Sequence, residues 1–169
     1  MAKPKPLHKL PVIQDSSPEE GDSPRAYAWI AFGTVAIFVV WLPLAWLSAQ
    51  VAARLSAAWL GPVSSPEEAA LAVARLDPSD RLRVEAILFG VHGVGLALAS
   101  LAGGFLVGRW GGQAGVREAV LSGLAAVGIA CALSFTTQGL SWTPLVAVAL
   151  AAAVAGVGGH IGRKRRPTP

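Results

Sequence analysis

Three long stretches of this 169-residue chain contain no aspartate, glutamate, lysine or arginine: 26–53, 86–108 and 119–162. A helix needs roughly 20 consecutive apolar residues to cross the hydrocarbon core of a bilayer. The first two stretches each suit one such helix, and the third is long enough for two. Only 14% of the residues are charged, whereas soluble proteins average about 25%. The pattern therefore predicts a protein embedded in a membrane.

We predict an all-α fold, an integral membrane four-helix bundle occupying residues 26–162. Short polar or glycine-rich segments divide the apolar stretches, which places the four spans at about 26–54, 86–108, 115–135 and 145–162. A short basic tail follows at 163–169. Little chain is left for a separate soluble domain.

The N-terminal residues 1–25 have a different composition. They contain five prolines, charges of both signs and few large apolar side chains. Such a segment buries too little apolar surface to offset the entropy of ordering it. We predict a disordered tail.

The segment at 55–85 is the one substantial loop between spans, and we expect a short helix in it at 65–76. Ser65, Pro66 and Glu68 form a helix start, with serine at the N-cap, proline at the first position and glutamate closing a capping box. Apolar residues then recur at helical spacing along one face. This amphipathic helix is expected to lie at the membrane interface.

Lysine and arginine are enriched on the cytoplasmic side of membrane proteins. If the N-terminus is inside, ten of the 14 cations lie on that side and four lie outside. The ten include the residues that flank the second span and follow the fourth: Arg109, Arg163, Lys164, Arg165 and Arg166. We predict that both termini are cytoplasmic, in a bacterial-type inner membrane, and that these cations set the topology and contact anionic lipid.

Small residues recur every four positions in the spans, a pattern typical of close helix packing in membranes. The second span carries Ser100, Gly104 and Gly108, and we expect Val107 to lie off this face. Further packing glycines are Gly115, Gly123, Gly158 and Gly162. Both the second and the fourth spans end in Gly-x-x-x-Gly-Arg. The resemblance fits either a duplicated hairpin or independent convergence.

Two polar residues are candidates for a functional role. His92 lies within the second span, where ionisable groups often mark ion or proton paths. The apolar stretches offer it no charged partner, so we interpret it as a hydrogen-bonded packing residue. Glu118 opens the third span, where an acid complements the helix dipole.

We find no catalytic constellation, metal-ligand spacing or cofactor motif, and the cations flank apolar stretches instead of forming a nucleic-acid surface. We therefore expect no enzyme, no metal, no cofactor and no nucleic acid. The leading hypothesis is a non-catalytic membrane protein that works through helix contacts, as an accessory subunit or a homo-oligomer. A small transporter or oligomeric channel and a lipid- or stress-responsive envelope protein remain as alternatives. The partners would be membrane lipids and either a second copy or another membrane protein.

Overall fold

A computed structural model of the chain describes residues 26–111, 115–134 and 143–166. All regular structure in these segments is helical. The helices are α1 (Ala26–Leu60), α2 (Pro66–Ala74), α3 (Pro78–Trp110), α4 (Val116–Ser134) and α5 (Thr143–Lys164). The predicted disordered tail at 1–25 lies outside the described residues.

Four of the helices, α1, α3, α4 and α5, are long and apolar enough to cross a membrane. This confirms the prediction of an all-helical chain with four membrane-length helices. The outward surfaces of these helices are apolar as well: Val39, Trp46 and Val146 are each between 64% and 68% exposed. Side chains of this kind are stable on an outer surface when lipid tails surround them, because lipid is as apolar as they are.

The helices are longer than the predicted spans at one end of the molecule. α1 continues past residue 54 to Leu60, and α3 begins at Pro78, so much of the predicted loop at 55–85 is helical. A charge such as Arg54 ends a hydrocarbon-embedded segment, but it does not end a helix, and the next residues include good helix formers. α1 stops only at Gly61, whose φ of 67° is a left-handed conformation that glycine adopts without steric cost.

Helix α2 begins where the sequence predicts, and it ends at Ala74, before the predicted end at 76. The Ser65 hydroxyl accepts a hydrogen bond from the Glu68 N–H at 3.2 Å. The Glu68 carboxylate turns back to Ser64, where it accepts from the backbone N–H at 2.8 Å and from the hydroxyl at 2.9 Å. The bond from the Ser64 backbone, followed by the bond from its hydroxyl, holds the pKa of Glu68 below its ordinary value.

Helix α3 is central, since it packs against α1, α4 and α5. Its contact with α5 is the most extensive, whereas α1 and α5 do not touch within the described residues. Close pairs at Gly33 with Val107 and at Ser48 with Val91 make α1 and α3 antiparallel. Helices α3 and α5 run parallel. We call the end where both of them finish the basic end, and the end that carries α2 the loop end.

At the loop end, α1 and α3 extend past α5. They have 35 and 33 residues, or about 50 Å at about 1.5 Å per residue, against roughly 30 Å of hydrocarbon. Gly93 of α3 lies beside Leu150 of α5, at 4.0 Å from an added Cβ. Because the two helices are parallel, α5 begins near the level of residue 86 of α3. Residues 54–60 and 78–85 therefore stand beyond α5, and we call them the projecting hairpin.

Candidate functional site

A close contact between helix backbones joins α3 to α5. Gly104 lies against the backbone of Ala155, and Gly108 lies against the backbone of Gly159. A Cβ atom added at Gly104 would stand 2.8 Å from the carbonyl carbon of Ala155, and one added at Gly108 would stand 2.8 Å from that of Gly159. The backbone of α5 thus fills the space that a side chain on α3 would need.

The contact is reciprocal. On α5, Gly158 lies against the carbonyl of Leu101, and Gly162 lies against the carbonyl of Phe105. Gly104 therefore meets the residue three before Gly158, and Gly158 meets the residue three before Gly104. The pairing of Gly108 and Gly162 follows the same offset. The two Gly-x-x-x-Gly segments, related in the sequence only by their similarity, form the two halves of one interface.

Two further packing residues that the sequence predicts lie in the interior. Gly123 of α4 lies against α5, with an added Cβ 2.8 Å from the Ala151 carbonyl oxygen. Ser100 of α3 is fully buried, and its hydroxyl makes no hydrogen bond within the described part of the chain. Small side chains are needed at both positions because neighbouring helices are close.

The structure differs from two of the packing predictions. Gly115 lies before the first turn of α4. Among the described residues, a Cβ added there would meet only a Glu118 carboxylate oxygen, at 3.9 Å. Gly115 is therefore part of a helix start and not of a helix interface. Val107 is off the α5 contact, as expected, but it is fully buried against α1 beside Gly33. A helix that packs between two neighbours has two buried faces. A residue that does not face one neighbour can therefore be buried against the other.

The predicted residues do not include the small residues that face α1. Gly103 lies against Ile37 and the backbone of Gly33, at 3.1 Å from the Gly33 carbonyl oxygen, and Gly95 lies against the Ser48 hydroxyl at 2.8 Å, both measured from an added Cβ. Gly95, Ala99 and Gly103 are spaced four apart, so the sequence does contain the signal for this second stripe on α3.

Hydroxyl groups tie α1 to α4. The Ser122 hydroxyl lies 3.1 Å from the Ile30 carbonyl oxygen, and the Thr34 hydroxyl lies 3.3 Å from the Ser122 carbonyl oxygen. Each hydroxyl also lies 2.8 Å from the carbonyl four residues earlier in its own helix. Each hydroxyl proton therefore has two acceptors within reach, one in its own helix and one across the interface.

His92 and Glu118, the two polar candidates, are both engaged locally. His92 is exposed on the surface of α3, and its Nδ1 lies 2.8 Å from the Leu88 carbonyl oxygen of the same helix. The hydrogen bond matches the interpretation of His92, but the exposure places it outside the packed interior. The Glu118 carboxylate accepts a hydrogen bond from the Gly115 N–H at 2.6 Å and so caps the start of α4.

The cations of the basic end differ in their surroundings. The Arg109 guanidinium lies 6.0 Å from the Phe105 ring centroid and 5.6 Å from that of Trp110. Arg166 donates from Nε to the Gly108 carbonyl oxygen at 2.8 Å, so it satisfies an acceptor in the last turn of α3. Four cations of this end are exposed: Arg117, Arg163, Lys164 and Arg165.

Within the described residues, no three histidine, cysteine, aspartate or glutamate side chains come together as a metal site. The buried polar side chains are hydroxyls, four of which donate to helix carbonyls: Thr34, Ser48, Ser56 and Ser122. Comparison with known proteins finds no matching family model, no matching curated protein and no matching solved structure.

Proposed function

We propose that the chain is a non-catalytic integral membrane protein, a four-helix bundle that works as an accessory or assembly subunit through contacts of its helices. The observation that carries this proposal is the projecting hairpin at 54–60 and 78–85. Crossing the bilayer does not require the extension of these two helices beyond the other spans, since roughly 20 residues suffice for one span.

The surface of the projecting hairpin suits a protein partner. Leu55 and Leu82 are 52% and 68% exposed, and Leu71 of the adjoining α2 is 59% exposed. Around them lie the ion pairs of Arg81 with Glu85 at 2.8 Å and of Arg83 with Asp80 at 3.2 Å. Apolar side chains within a rim of charged groups are typical of protein interaction surfaces.

The positions of the packing glycines limit which surfaces can contact a partner protein. Gly104, Gly108, Gly158 and Gly162 all meet backbone of the same chain. These glycines are therefore not available to contact a second protein, although the sequence pattern alone would allow such a contact. Association with another copy or another protein would therefore use the projecting hairpin.

We place the protein in a bacterial-type inner membrane with the basic end in the cytoplasm. The support is the distribution of lysine and arginine in the sequence. The projecting hairpin then lies on the outer side of the membrane, where a partner with an outer domain would reach it.

Site-specific photo-crosslinking in cells tests this function. A benzophenone amino acid at Leu82 or Leu55 is expected to form an adduct with a protein, and the same probe at Val39, which is 64% exposed among the apolar stretches, to form none. The mass of the adduct separates a second copy of the 17.3 kDa chain from a different protein. Leu82→Glu should abolish the adduct formed from Leu55. Absence of a protein adduct from Leu55, Leu71 and Leu82 alike would contradict the proposal.

A further inference from the structure

A groove of about 290 Å³ opens between α3 and α5 toward the basic end. Leu101, Ala102 and Phe105 line it from α3, and Gly158 and Ile161 line it from α5. Gly158 has no side chain, so α5 lies close to α3 at the floor of the groove. The larger side chains of Leu101, Phe105 and Ile161 form its sides. Its walls are apolar, and it lies on a surface that a membrane-spanning chain presents to lipid.

The groove has arginines at its basic end. Arg165 is one of its lining residues, four positions after Ile161. Arg109 lies four positions after Phe105, with its guanidinium 6.0 Å from the ring of that residue. Residues four apart lie on the same face of a helix. Arg109 therefore lies one turn beyond a groove wall on α3, and Arg165 follows directly after the end of α5 at Lys164. Within the described residues neither arginine takes part in an ion pair.

We propose that this groove binds an anionic phospholipid, with an acyl chain along the apolar walls and the phosphate between Arg109 and Arg165. An acyl chain matches walls made of leucine, phenylalanine and isoleucine. Guanidinium groups bind phosphate through paired hydrogen bonds, and each cation near an anionic leaflet adds attraction. The apolar walls and the terminal cations together favour a lipid over a free phosphate. The inference requires a membrane-embedded chain, but it does not depend on the projecting hairpin having a partner.

Lipid binding to the purified full-length chain tests the headgroup contact. In native mass spectrometry from a nonionic detergent, dioleoylphosphatidylglycerol is expected to bind more tightly than dioleoylphosphatidylcholine. Arg165→Gln and Arg109→Gln should each weaken phosphatidylglycerol binding about fivefold. They should weaken phosphatidylcholine binding less, because the choline cation offsets the charge of its phosphate. Lys164→Gln removes the same charge from an exposed residue outside the groove and should change binding less than about twofold.

The acyl contact needs a separate variant. Ala102→Phe fills the groove from a partly exposed position and should weaken the binding of both lipids, while helix content and thermal stability report that the chain is folded. If Ala102→Phe leaves lipid binding unchanged, or if Lys164→Gln acts as strongly as Arg165→Gln, the groove is not the site. Equal competition by glycerol phosphate would identify a site for free phosphate and overturn the lipid assignment.

Discussion

At the residue scale, the packing positions of α3 and α5 require glycine because the neighbouring helix backbone leaves no room for a side chain. Alanine is a better helix former than glycine by about 1 kcal/mol. Replacing a helical glycine that has no packing role with alanine should therefore stabilise the protein. A Cβ at Gly104 would overlap the backbone of Ala155, which cannot rotate away as a side chain can. At Gly128, no atom of the part of the chain that the structure describes lies within 4 Å of the added atom.

We therefore predict opposite signs for the same substitution at these two positions. Gly104→Ala should destabilise the protein by about 1–3 kcal/mol, the usual cost of overpacking, and Gly128→Ala should be neutral or stabilising. Denaturant titration in mixed micelles measures both. Equal losses at Gly104 and Gly128 would mean that α3 and α5 are not in contact as described. Val107 is unsuitable as a neutral control, because it is fully buried.

Also at the residue scale, the buried hydroxyls differ in what they join. The Ser122 hydroxyl reaches Ile30 of another helix, whereas the Ser56 hydroxyl reaches only Ala52 and Ala53 of its own helix. Interhelical hydrogen bonds in membranes average about 0.6 kcal/mol, with a maximum of about 1.7 kcal/mol.

Ser122→Ala should lower the free energy of unfolding by an amount in that range, and Ser56→Ala should change it less. The same micellar titration compares the two variants. No loss on Ser122→Ala would show that the bond from α4 to Ile30 contributes nothing to stability.

At the element scale, α2 is a short helix that depends on its N-terminal hydrogen bonds. The bonds from Ser64 hold the pKa of Glu68 below its ordinary value of 4.5. A carboxyl with a lowered folded pKa stabilises the fold above its unfolded pKa, and this stabilisation is lost as the pH falls through the folded value. We predict that α2 is stable at neutral pH and loosens as the pH falls below the ordinary carboxyl value of 4.5.

Hydrogen exchange checks this prediction through the Ala69 amide, which is bonded to the Ser65 carbonyl at 3.1 Å. Its protection factor should fall between pH 6 and pH 3. Glu68→Gln should remove most of this pH dependence, because an amide in place of the carboxyl does not titrate, and Glu67→Gln should retain it. An unchanged protection factor at pH 3 would show that the Glu68 carboxylate does not hold the helix start.

Also at the element scale, the charge-free runs and the helix-terminating residues indicate different boundaries. The charge-free runs mark the apolar parts of α1 and α3, but α1 continues to Leu60 and α3 begins at Pro78. α1 ends before Gly61, which has a left-handed conformation, and α3 begins within the segment Asp77-Pro78-Ser79-Asp80, which is a helix-start signature in the sequence. The hydroxyl of Ser65 caps the start of α2 by accepting from the Glu68 N–H, and such capping is a local interaction.

At the scale of the whole molecule, the orientation of the chain gives a direct test of the proposed topology. With four spans and the basic end inside, a reporter fused after Pro167 or in the turn at 109–115 should be cytoplasmic, and one at Ser65 should be outside. Paired alkaline phosphatase and fluorescent protein fusions measure each side. A Pro167 fusion on the outer side would mean that the proposed orientation is wrong.

The sequence alone determined that this chain is all-helical, has four membrane-length helices and carries a capped helix between the first two, because hydrophobic length and capping are local properties. It also singled out the Gly-x-x-x-Gly segments. Only the tertiary structure decided that they meet each other inside one chain, that Gly115 is not among the packing residues and that Val107 is buried. Small residues permit close approach by any neighbouring helix. Which helix approaches depends on contacts between residues far apart in the chain, and the spacing of glycines does not encode it.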